Sequence, residues 1–119
     1  MLKGFVNQYD EPIVPIELVL RSKPQSFQAI IDTGFNGYLN VPKNLVHGST
    51  WYFAGIEEYE IATGERVKQQ VYIGNVLFDQ QLLQLYIVTS NSNDILIGTK
   101  LLKSKILEIS FRSKKVIIH

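Results

Sequence analysis

The side chain that is best suited to take part in a reaction is the carboxylate of Asp32, which lies in the segment AIIDTG, residues 29–34. This single charge directly follows an apolar run, at the start of a turn. A charge at the end of a buried strand costs free energy unless a partner or a reaction compensates for it. Thr33 offers a hydroxyl that can brace the loop, and Gly34 allows a tight turn whose amide approaches the carboxylate. The tripeptide favours acid–base chemistry, although taken alone it is more often an aspartate that caps a turn.

Short apolar runs must position this carboxylate. Runs rich in Val, Ile, Leu, Tyr and Phe recur along the chain with turn residues between them, which is typical of an all-β barrel or sandwich. We predict about ten strands and about two short helices. Strands are expected over residues 12–20, 27–31, 38–41, 82–89, 94–98, 106–111 and 115–119, and helices within 42–48 and 99–105. The runs at 82–89 and 94–98 are interpreted as buried strands.

A long hairpin is predicted over residues 51–74. Its tip, Ala62-Thr63-Gly64-Glu65, contains a glycine that can adopt the positive φ of a tight turn. The glutamates on its first arm are interpreted as a solvated strand face. The aromatic residues at its start are expected to pack in the core or at the hairpin base rather than to form a substrate pocket: Trp51, Tyr52 and Phe53.

The composition suits one domain that spans residues 1–119. The chain of 119 residues has 45% hydrophobic residues, enough for one core. Its 12 basic and 11 acidic residues give a net charge of +1, so the overall charge does not favour binding to nucleic acid or to an anionic membrane. No apolar stretch approaches the roughly 18 residues of a membrane span, and no signal-peptide pattern is present. We expect a soluble, cytoplasmic protein.

Residues for metal, thiol or serine chemistry are missing or badly spaced. There are no cysteines, and His47 and His119 have no companion ligands at a recognisable spacing. No G-x-S-x-G segment supports a serine nucleophile, and the glycines have no nucleotide-binding spacing. We therefore expect no metal and no cofactor.

The order of these features resembles the retropepsin-like aspartic proteases, and most of all their short bacterial members. The resemblance rests on Ile30-Ile31-Asp32-Thr33-Gly34, on the later run Ile95-Leu96-Ile97-Gly98 before a helix, and on the hairpin between them. It covers nearly the whole chain, from Ile13 to Ile118. It implies a closed β-barrel with one or two short helices, in a chain that forms a homodimer.

The same resemblance assigns roles to individual residues. Asp32 would be the catalytic residue, paired with Asp32 of a second chain, since the sequence contains a single D-T-G. Thr33 would bond across to the other subunit, and the amide of Gly34 would support the carboxylate. The hairpin tip, Ala62-Thr63-Gly64, would be the flap that closes over a substrate. The implied activity is that of an aspartic endopeptidase on peptides or proteins, at acidic to neutral pH.

The loop after D-T-G departs from the pattern of that family. Phe35 stands where many members have a small residue, and its ring is expected to crowd the wall of the substrate cleft. Asn36 replaces an aspartate that binds the substrate backbone in many viral members, and an amide can still donate and accept. Gly37 is interpreted as making room for Phe35. Phe35 and Asn36 are therefore predicted to contact substrate, and to set specificity or weaken activity.

Other interpretations stay open on the sequence. The fold could serve as a catalytically weak or inactive module for peptide binding or assembly, because a fold does not guarantee its chemistry. An unrelated small β-barrel could also carry the D-T-G by chance and remain a monomer. The apolar ends of the chain, residues 1–6 and 115–119, either pair between subunits or pair within their own chain.

Overall fold

The computed structural model describes all residues, 1–119, and contains ten β-strands and two short helices. The all-β class is therefore confirmed. Neither helix combines the length and the apolar character that crossing a membrane requires. The helices are α1 (Lys43–Val46) and α2 (Thr99–Leu102). The strands are β1 (Leu2–Val6), β2 (Pro12–Val19), β3 (Pro24–Ile31), β4 (Leu39–Pro42), β5 (Tyr52–Glu60), β6 (Arg66–Phe78), β7 (Gln81–Ser90), β8 (Leu96–Ile97), β9 (Leu107–Ser110) and β10 (Lys115–Ile118).

Alternation of apolar and polar side chains explains the strands that lead to Asp32. In β2, Ile16 and Leu18 are buried while Glu17 between them is exposed, as expected for a strand with one face in the core. β2 pairs antiparallel with β3 along almost its whole length. The last residue of β3, Ile31, is buried, so the chain leaves the core at Asp32.

All ten strands belong to one sheet, in the order β5-β6-β7-β4-β8-β3-β2-β1-β10-β9. β2 makes a further antiparallel pairing with β6, from Glu17 opposite Leu77 to Val19 opposite Asn75. This pairing links two strands that stand apart in the order, so β2, β3, β8, β4, β7 and β6 follow one another as a ring of neighbours. β5 and β9 are the outer strands.

β7 is less buried than its sequence predicts. Residues 87–89 are buried, but Leu82 and Tyr86 are exposed. The first half of β7 pairs with β6 alone, whereas the second half is also covered by β4. The prediction of a buried strand is therefore wrong for the first half, because this half has a neighbouring strand on one side only and every second side chain faces solvent.

Nineteen buried apolar residues form the core, and Trp51 is one of them. Its indole N–H donates to the carbonyl oxygen of Val19 at 2.7 Å. Phe53 packs edge-on against Tyr72 at the hairpin base, with ring centroids 5.6 Å apart. Tyr52 is 73% exposed. The predicted packing is therefore confirmed for Trp51 and, at the hairpin base, for Phe53, and it is wrong for Tyr52, which is exposed like nearly all of β5.

The two ends of the chain pair with each other. β1 runs antiparallel to β10, with Leu2 opposite Ile118 and Phe5 opposite Lys115. β1 also pairs with β2, and β10 with β9. Of the two alternatives for the chain ends, the structure has pairing within the chain.

A cluster of ion pairs around Asp79 ties the turn between β6 and β7 to two other segments. One carboxylate oxygen lies 3.1 Å from the amino group of Met1, and the other lies 3.2 Å from Nζ of Lys105. Hydrogen bonds from the Met1 amino group and then from Lys105 hold the pKa of Asp79 below its usual range, although burial acts in the opposite direction.

We predict that Asp79→Asn lowers the stability of the fold at neutral pH and changes it little in strong acid. A carboxylate whose pKa is lower in the folded state stabilises the fold above its ordinary value of 3.8, and this contribution disappears as the pH falls through the lowered value. Thermal unfolding between about pH 2 and pH 7 measures the difference. Asp94→Asn is the control, since Asp94 makes no ion pair. A loss that is the same at every pH would contradict the ion-pair explanation.

Candidate active site

The loop that begins at Asp32 joins two strands that are separated by a third. β3 ends at Ile31 and β4 begins at Leu39, and β8 is inserted between them, parallel to β3 and antiparallel to β4. The backbone N–H of Asp32 donates to the carbonyl oxygen of Ile97 in β8 at 2.9 Å. The inserted strand therefore fixes the backbone of Asp32 at the point where the loop, residues 32–38, leaves the sheet.

The carboxylate of Asp32 is oriented by the loop that follows it. Its Oδ1 accepts a hydrogen bond from the backbone N–H of Gly34 at 2.9 Å, and the side chain is half-buried. A side-chain carbon at position 34 would lie 3.2 Å from the same oxygen, so glycine permits this close approach. The turn therefore holds one of the two carboxylate oxygens in place.

Asp32 is the only carboxylate in this loop. Asp10 lies between β1 and β2, Asp79 between β6 and β7, and Asp94 between β7 and β8. Asp79 is also engaged by Met1 and Lys105. A single chain therefore presents one carboxylate in the D-T-G loop.

The first turn of α2 holds the loop from the other side. The backbone N–H of Thr99 donates to the carbonyl oxygen of Phe35 at 2.9 Å, and its hydroxyl donates to the same oxygen at 3.3 Å. The backbone N–H of Lys100 donates to the carbonyl oxygen of Gly37 at 3.1 Å. The first N–H groups of a helix have no hydrogen-bond partner within the helix. Here the carbonyl oxygens of the loop accept these hydrogen bonds, and the same bonds fix the position of the loop.

The ring of Phe35 lies in a slot between two glycines. A side-chain carbon at Gly37 would be 2.5 Å from the ring. One at Gly98 would be 2.7 Å from the ring and 2.1 Å from the carbonyl oxygen of Gly37. The interpretation of Gly37 as room for Phe35 is therefore confirmed. Gly98 also makes room for the ring. This role could not be predicted from its position before a helix in the sequence.

Thr33 and Asn36 lie at the surface of the same loop. Both are exposed, and the hydroxyl of Thr99 lies 3.5 Å from Oδ1 of Asn36. The structure thus brings Asp32, Thr33, Gly34, Phe35 and Asn36 together in one loop. Their roles towards a substrate or a second chain stay predictions.

A groove of about 340 Å³ opens beside this loop. Phe35, the start of β4 and β5 at the hairpin base contribute to its lining, whereas Asp32 does not. Glu57 and Lys100 are its charged members, and Nζ of Lys100 lies 5.7 Å from the centre of the Tyr38 ring. The rest of the lining is mainly apolar and includes Leu39, Ile56, Val71, Tyr86 and Val88.

The tip of the long hairpin has the predicted turn but lines no part of this groove. Ala62, Thr63 and Gly64 are exposed, and Gly64 has a φ of 89°. The backbone N–H of Gly64 donates to the carbonyl oxygen of Ile61 at 2.9 Å, which closes the turn. The groove meets the hairpin at its base, residues 54–57. Contact between the tip and a substrate stays a prediction.

Sequence reasoning missed several residues of the groove. Ile56, Tyr86 and Lys100 come from β5, β7 and α2, and the fold brings them together. One signal is present in the sequence, since Ile56 is an apolar residue directly before an acidic run on a solvated strand. Apolar side chains grouped on an exposed surface often mark a binding site.

The fold of this chain is retropepsin-like. The structure is similar to the solution structure of Simian Foamy Virus (mac) protease, with a TM-score of 0.60 and 15% sequence identity, over 76% of this chain and 91% of that one. It is also similar to the crystal structure of a retropepsin-like aspartic protease from Rickettsia conorii, with a TM-score of 0.68 and 14% identity, over 98% of this chain and 87% of that one. No protein-family model and no curated protein matches the sequence. The resemblance stated from the sequence is thus confirmed for the fold.

We predict that Gly37→Ala destabilises the protein by about 1–3 kcal/mol, because the added methyl group overlaps the Phe35 ring in a filled slot. In a Phe35→Ala background the same substitution is expected to cost much less, since the ring is gone. Gly98→Ala is the contrasting variant, because its methyl group also meets the backbone oxygen of Gly37 and removal of the ring cannot relieve that overlap. Urea unfolding of the single and double variants gives the coupling energies. Absence of coupling between positions 35 and 37 would contradict the proposed overlap between the methyl group at position 37 and the Phe35 ring.

Proposed function

We propose that this protein is an aspartic endopeptidase that acts as a homodimer, in which Asp32 of each of two chains activates one water molecule. The proposal rests on one observation: Asp32 stands at the end of β3 in a retropepsin-like fold, with its backbone bound to β8 and its Oδ1 bound by the amide of Gly34. In this proposal the ring of paired strands is the closed barrel, and residues 1–119 form one catalytic domain.

Peptide hydrolysis by this route needs two carboxylates in different protonation states. The ionised one takes a proton from water as the water attacks the scissile carbonyl carbon, and the protonated one donates to the carbonyl oxygen. The proton taken from water then passes to the leaving amine as the C–N bond breaks. Two carboxylates about 3 Å apart cannot both ionise, so they share one proton and titrate in two steps that belong to the pair. Activity is therefore expected at acidic to neutral pH.

A second copy of the chain supplies the second carboxylate. The other aspartates lie in other loops, and a two-fold axis through the site places Asp32 opposite itself. Thr33 is exposed beside Asp32, where its hydroxyl can bond across the axis. The amide of Gly34 holds Oδ1 in each chain.

The substrate in this proposal is a peptide or a segment of a protein. The groove beside the D-T-G loop accepts an apolar side chain, and Phe35 is part of its lining. Asn36 bonds to the substrate backbone, and the hairpin tip, Ala62-Thr63-Gly64, covers the bound segment. Two carboxylates and water supply every proton of the reaction, so no cofactor is required. Location in the cytoplasm stays a prediction from the sequence.

A second candidate function is peptide binding or assembly without turnover. The ring of Phe35 favours it, because the ring is fixed between Gly37 and Gly98 and narrows the groove in the loop that carries Asp32. A binding module would retain peptides without releasing products, so cleavage distinguishes the two functions.

We predict that Asp32→Asn lowers kcat at least about 100-fold, because asparagine cannot exchange a proton with water or the carbonyl oxygen. The fold is expected to survive, since the asparagine oxygen can still accept from Gly34. Mass spectrometry of a peptide library incubated between about pH 4 and pH 7 measures cleavage, and thermal unfolding checks the fold. Asp94→Asn, in another loop, is the control and should cleave normally. Unchanged cleavage by Asp32→Asn, or no cleavage by a verified dimer, would reject the endopeptidase.

We predict that Phe35→Ala shifts the preference of the groove by about tenfold or more towards larger apolar side chains, because a ring that lines the groove is removed. The change should appear mainly in KM, since the ring does not take part in proton transfer. Values of kcat/KM for peptides that differ at one position, from Ala to Val, Leu and Phe, measure the shift. Phe35→Leu should give an intermediate ranking. The same ranking in all three proteins would show that the ring does not contact substrate.

A further inference from the structure

A pocket of about 410 Å³ lies beside the turn between β2 and β3. Its lining comes from within residues 20–25 of this turn and from within residues 44–49 around the end of α1. β3 has eight residues and leads from this turn to Asp32, so roughly 25 Å of strand separates the pocket from the D-T-G loop. The pocket shares no residue with the groove beside that loop. It is therefore separate from the candidate active site.

The titratable side chains that line this pocket are all bases: Arg21, Lys23 and His47. No carboxylate is among its lining residues, and none of the three bases takes part in an ion pair. Residues 18–56 contain one acidic residue, Asp32, which lies at the far end of β3. The positive charge of this concave surface is therefore not compensated within the protein, which favours an anion.

Hydrogen-bond donors of two kinds face an anion here. Nε of Arg21 donates to the carbonyl oxygen of Gly48 at 3.3 Å, which holds the guanidinium and leaves its terminal N–H groups for a ligand. The backbone N–H groups of Arg21, Ser22 and Lys23 make no backbone hydrogen bond. Successive N–H groups without a partner in a turn are a common feature of anion sites. The pocket thus offers charged donors and backbone donors to the same group.

Hydrogen bonds hold the two segments of the pocket together. The backbone N–H of Thr50 donates to the carbonyl oxygen of Leu20 at 2.8 Å. The indole N–H of Trp51 donates to the carbonyl oxygen of Val19 at 2.7 Å. The hydroxyl of Ser49 accepts from the backbone N–H of Trp51 at 3.2 Å, and its own hydrogen remains available to a ligand. These bonds lie within the protein, so binding requires little further ordering of the backbone.

A phosphate group fits these donors better than a carboxylate does. The guanidinium of Arg21 is a planar fork that bonds two oxygens of one anion, and Lys23 adds a point charge. A phosphate monoester has three terminal oxygens, so it can accept from the fork, the backbone N–H groups and a hydroxyl at once, whereas a carboxylate has two oxygens. The lining contains no Phe, Tyr or Trp on which a base could stack, which disfavours a nucleotide. Its apolar members, Leu20 and Leu45, suit an aliphatic carrier.

We propose that this pocket binds the phosphate monoester group of a ligand through Arg21, Lys23 and the backbone N–H groups of the turn between β2 and β3. The same group occurs on small phosphorylated molecules and on phosphoserine, so the test includes one probe of each kind. Because the pocket is remote from Asp32, this binding does not depend on peptide hydrolysis. The proposed function and this inference are therefore tested separately.

Titration of the ¹⁵N-labelled full chain, followed by the NMR signals of its backbone N–H groups, tests the site. The probes are glycerol phosphate and a short peptide that contains phosphoserine, both at constant ionic strength. Glycerol and the unphosphorylated peptide are their controls. Both phosphorylated probes are expected to shift the signals of residues 21–23 and 48–49, and neither control should. The probe with the lower dissociation constant identifies the carrier.

The turn between β9 and β10 is an internal control for attraction by charge alone. Arg112, Lys114 and Lys115 lie in or beside this turn, are exposed, form no ion pair and are not part of the pocket. If positive charge alone attracted the probes, the signals of residues 112–115 would shift with the same dissociation constant as those of the pocket. We expect them to show much weaker binding.

Arg21→Gln is expected to raise the dissociation constant of both probes about tenfold or more, because a charge-assisted pair of hydrogen bonds is lost. Arg112→Gln removes the same charge from the other turn, so it is the matched control and should bind as the parent does. Arg21→Lys keeps the charge and loses the fork, and an intermediate value is expected. Arg21 is exposed, and thermal unfolding checks that its variants fold.

Lys23→Gln is a second variant that leaves the bond between Arg21 and Gly48 intact. It is expected to weaken binding about fivefold, since one unit charge near the anion is removed.

The possible results either support the site or overturn it. Shifts that centre on the pocket and that both Arg21→Gln and Lys23→Gln weaken support it, whether or not the protein cleaves peptides. No shift at residues 21–23 with either probe, or equal binding by Arg21→Gln and Arg112→Gln, overturns it. Equal binding of a peptide with glutamate in place of phosphoserine also overturns it, because the pocket would then not distinguish phosphate from a carboxylate.

Discussion

The candidate site depends on the insertion of β8 between β3 and β4. The strands on either side of the D-T-G loop are kept apart by a strand that arrives from much later in the chain, and the hydrogen bond from Asp32 N–H to the Ile97 carbonyl oxygen fixes where the loop leaves the sheet. The first amides of α2, directly after β8, then bind the carbonyl oxygens of the loop. The catalytic candidate is thus positioned by backbone hydrogen bonds, which depend little on side-chain identity.

Three glycines set how closely this loop can pack. Gly34 lets its amide reach the Asp32 carboxylate, while Gly37 and Gly98 leave the space in which the ring of Phe35 lies. The ring fills this space tightly, as protein interiors do, and at the same time forms a wall of the groove. One side chain therefore links the packing of the loop to the shape of the groove.

A single chain closes a ring of paired strands and pairs its two ends with each other, and its D-T-G loop carries one carboxylate. The two outer strands differ in charge. β5 carries three glutamates, whereas β9 has one, whose carboxylate lies 3.1 Å from His119.

Local pattern alone predicted most of the strands, both helices, the turn at Gly64 and the place of Asp32 after an apolar strand, because alternation, turn residues and a charge after an apolar run are encoded by near neighbours. The same patterns overestimated the burial of Tyr86 and Tyr52, since a sequence does not show which strands cover them. Only the tertiary structure decided that the chain ends pair with each other and that Thr99 holds Phe35 from 64 positions away. Contacts at such separations depend on how the strands are ordered in the sheet, and that order follows from the packing of the whole core.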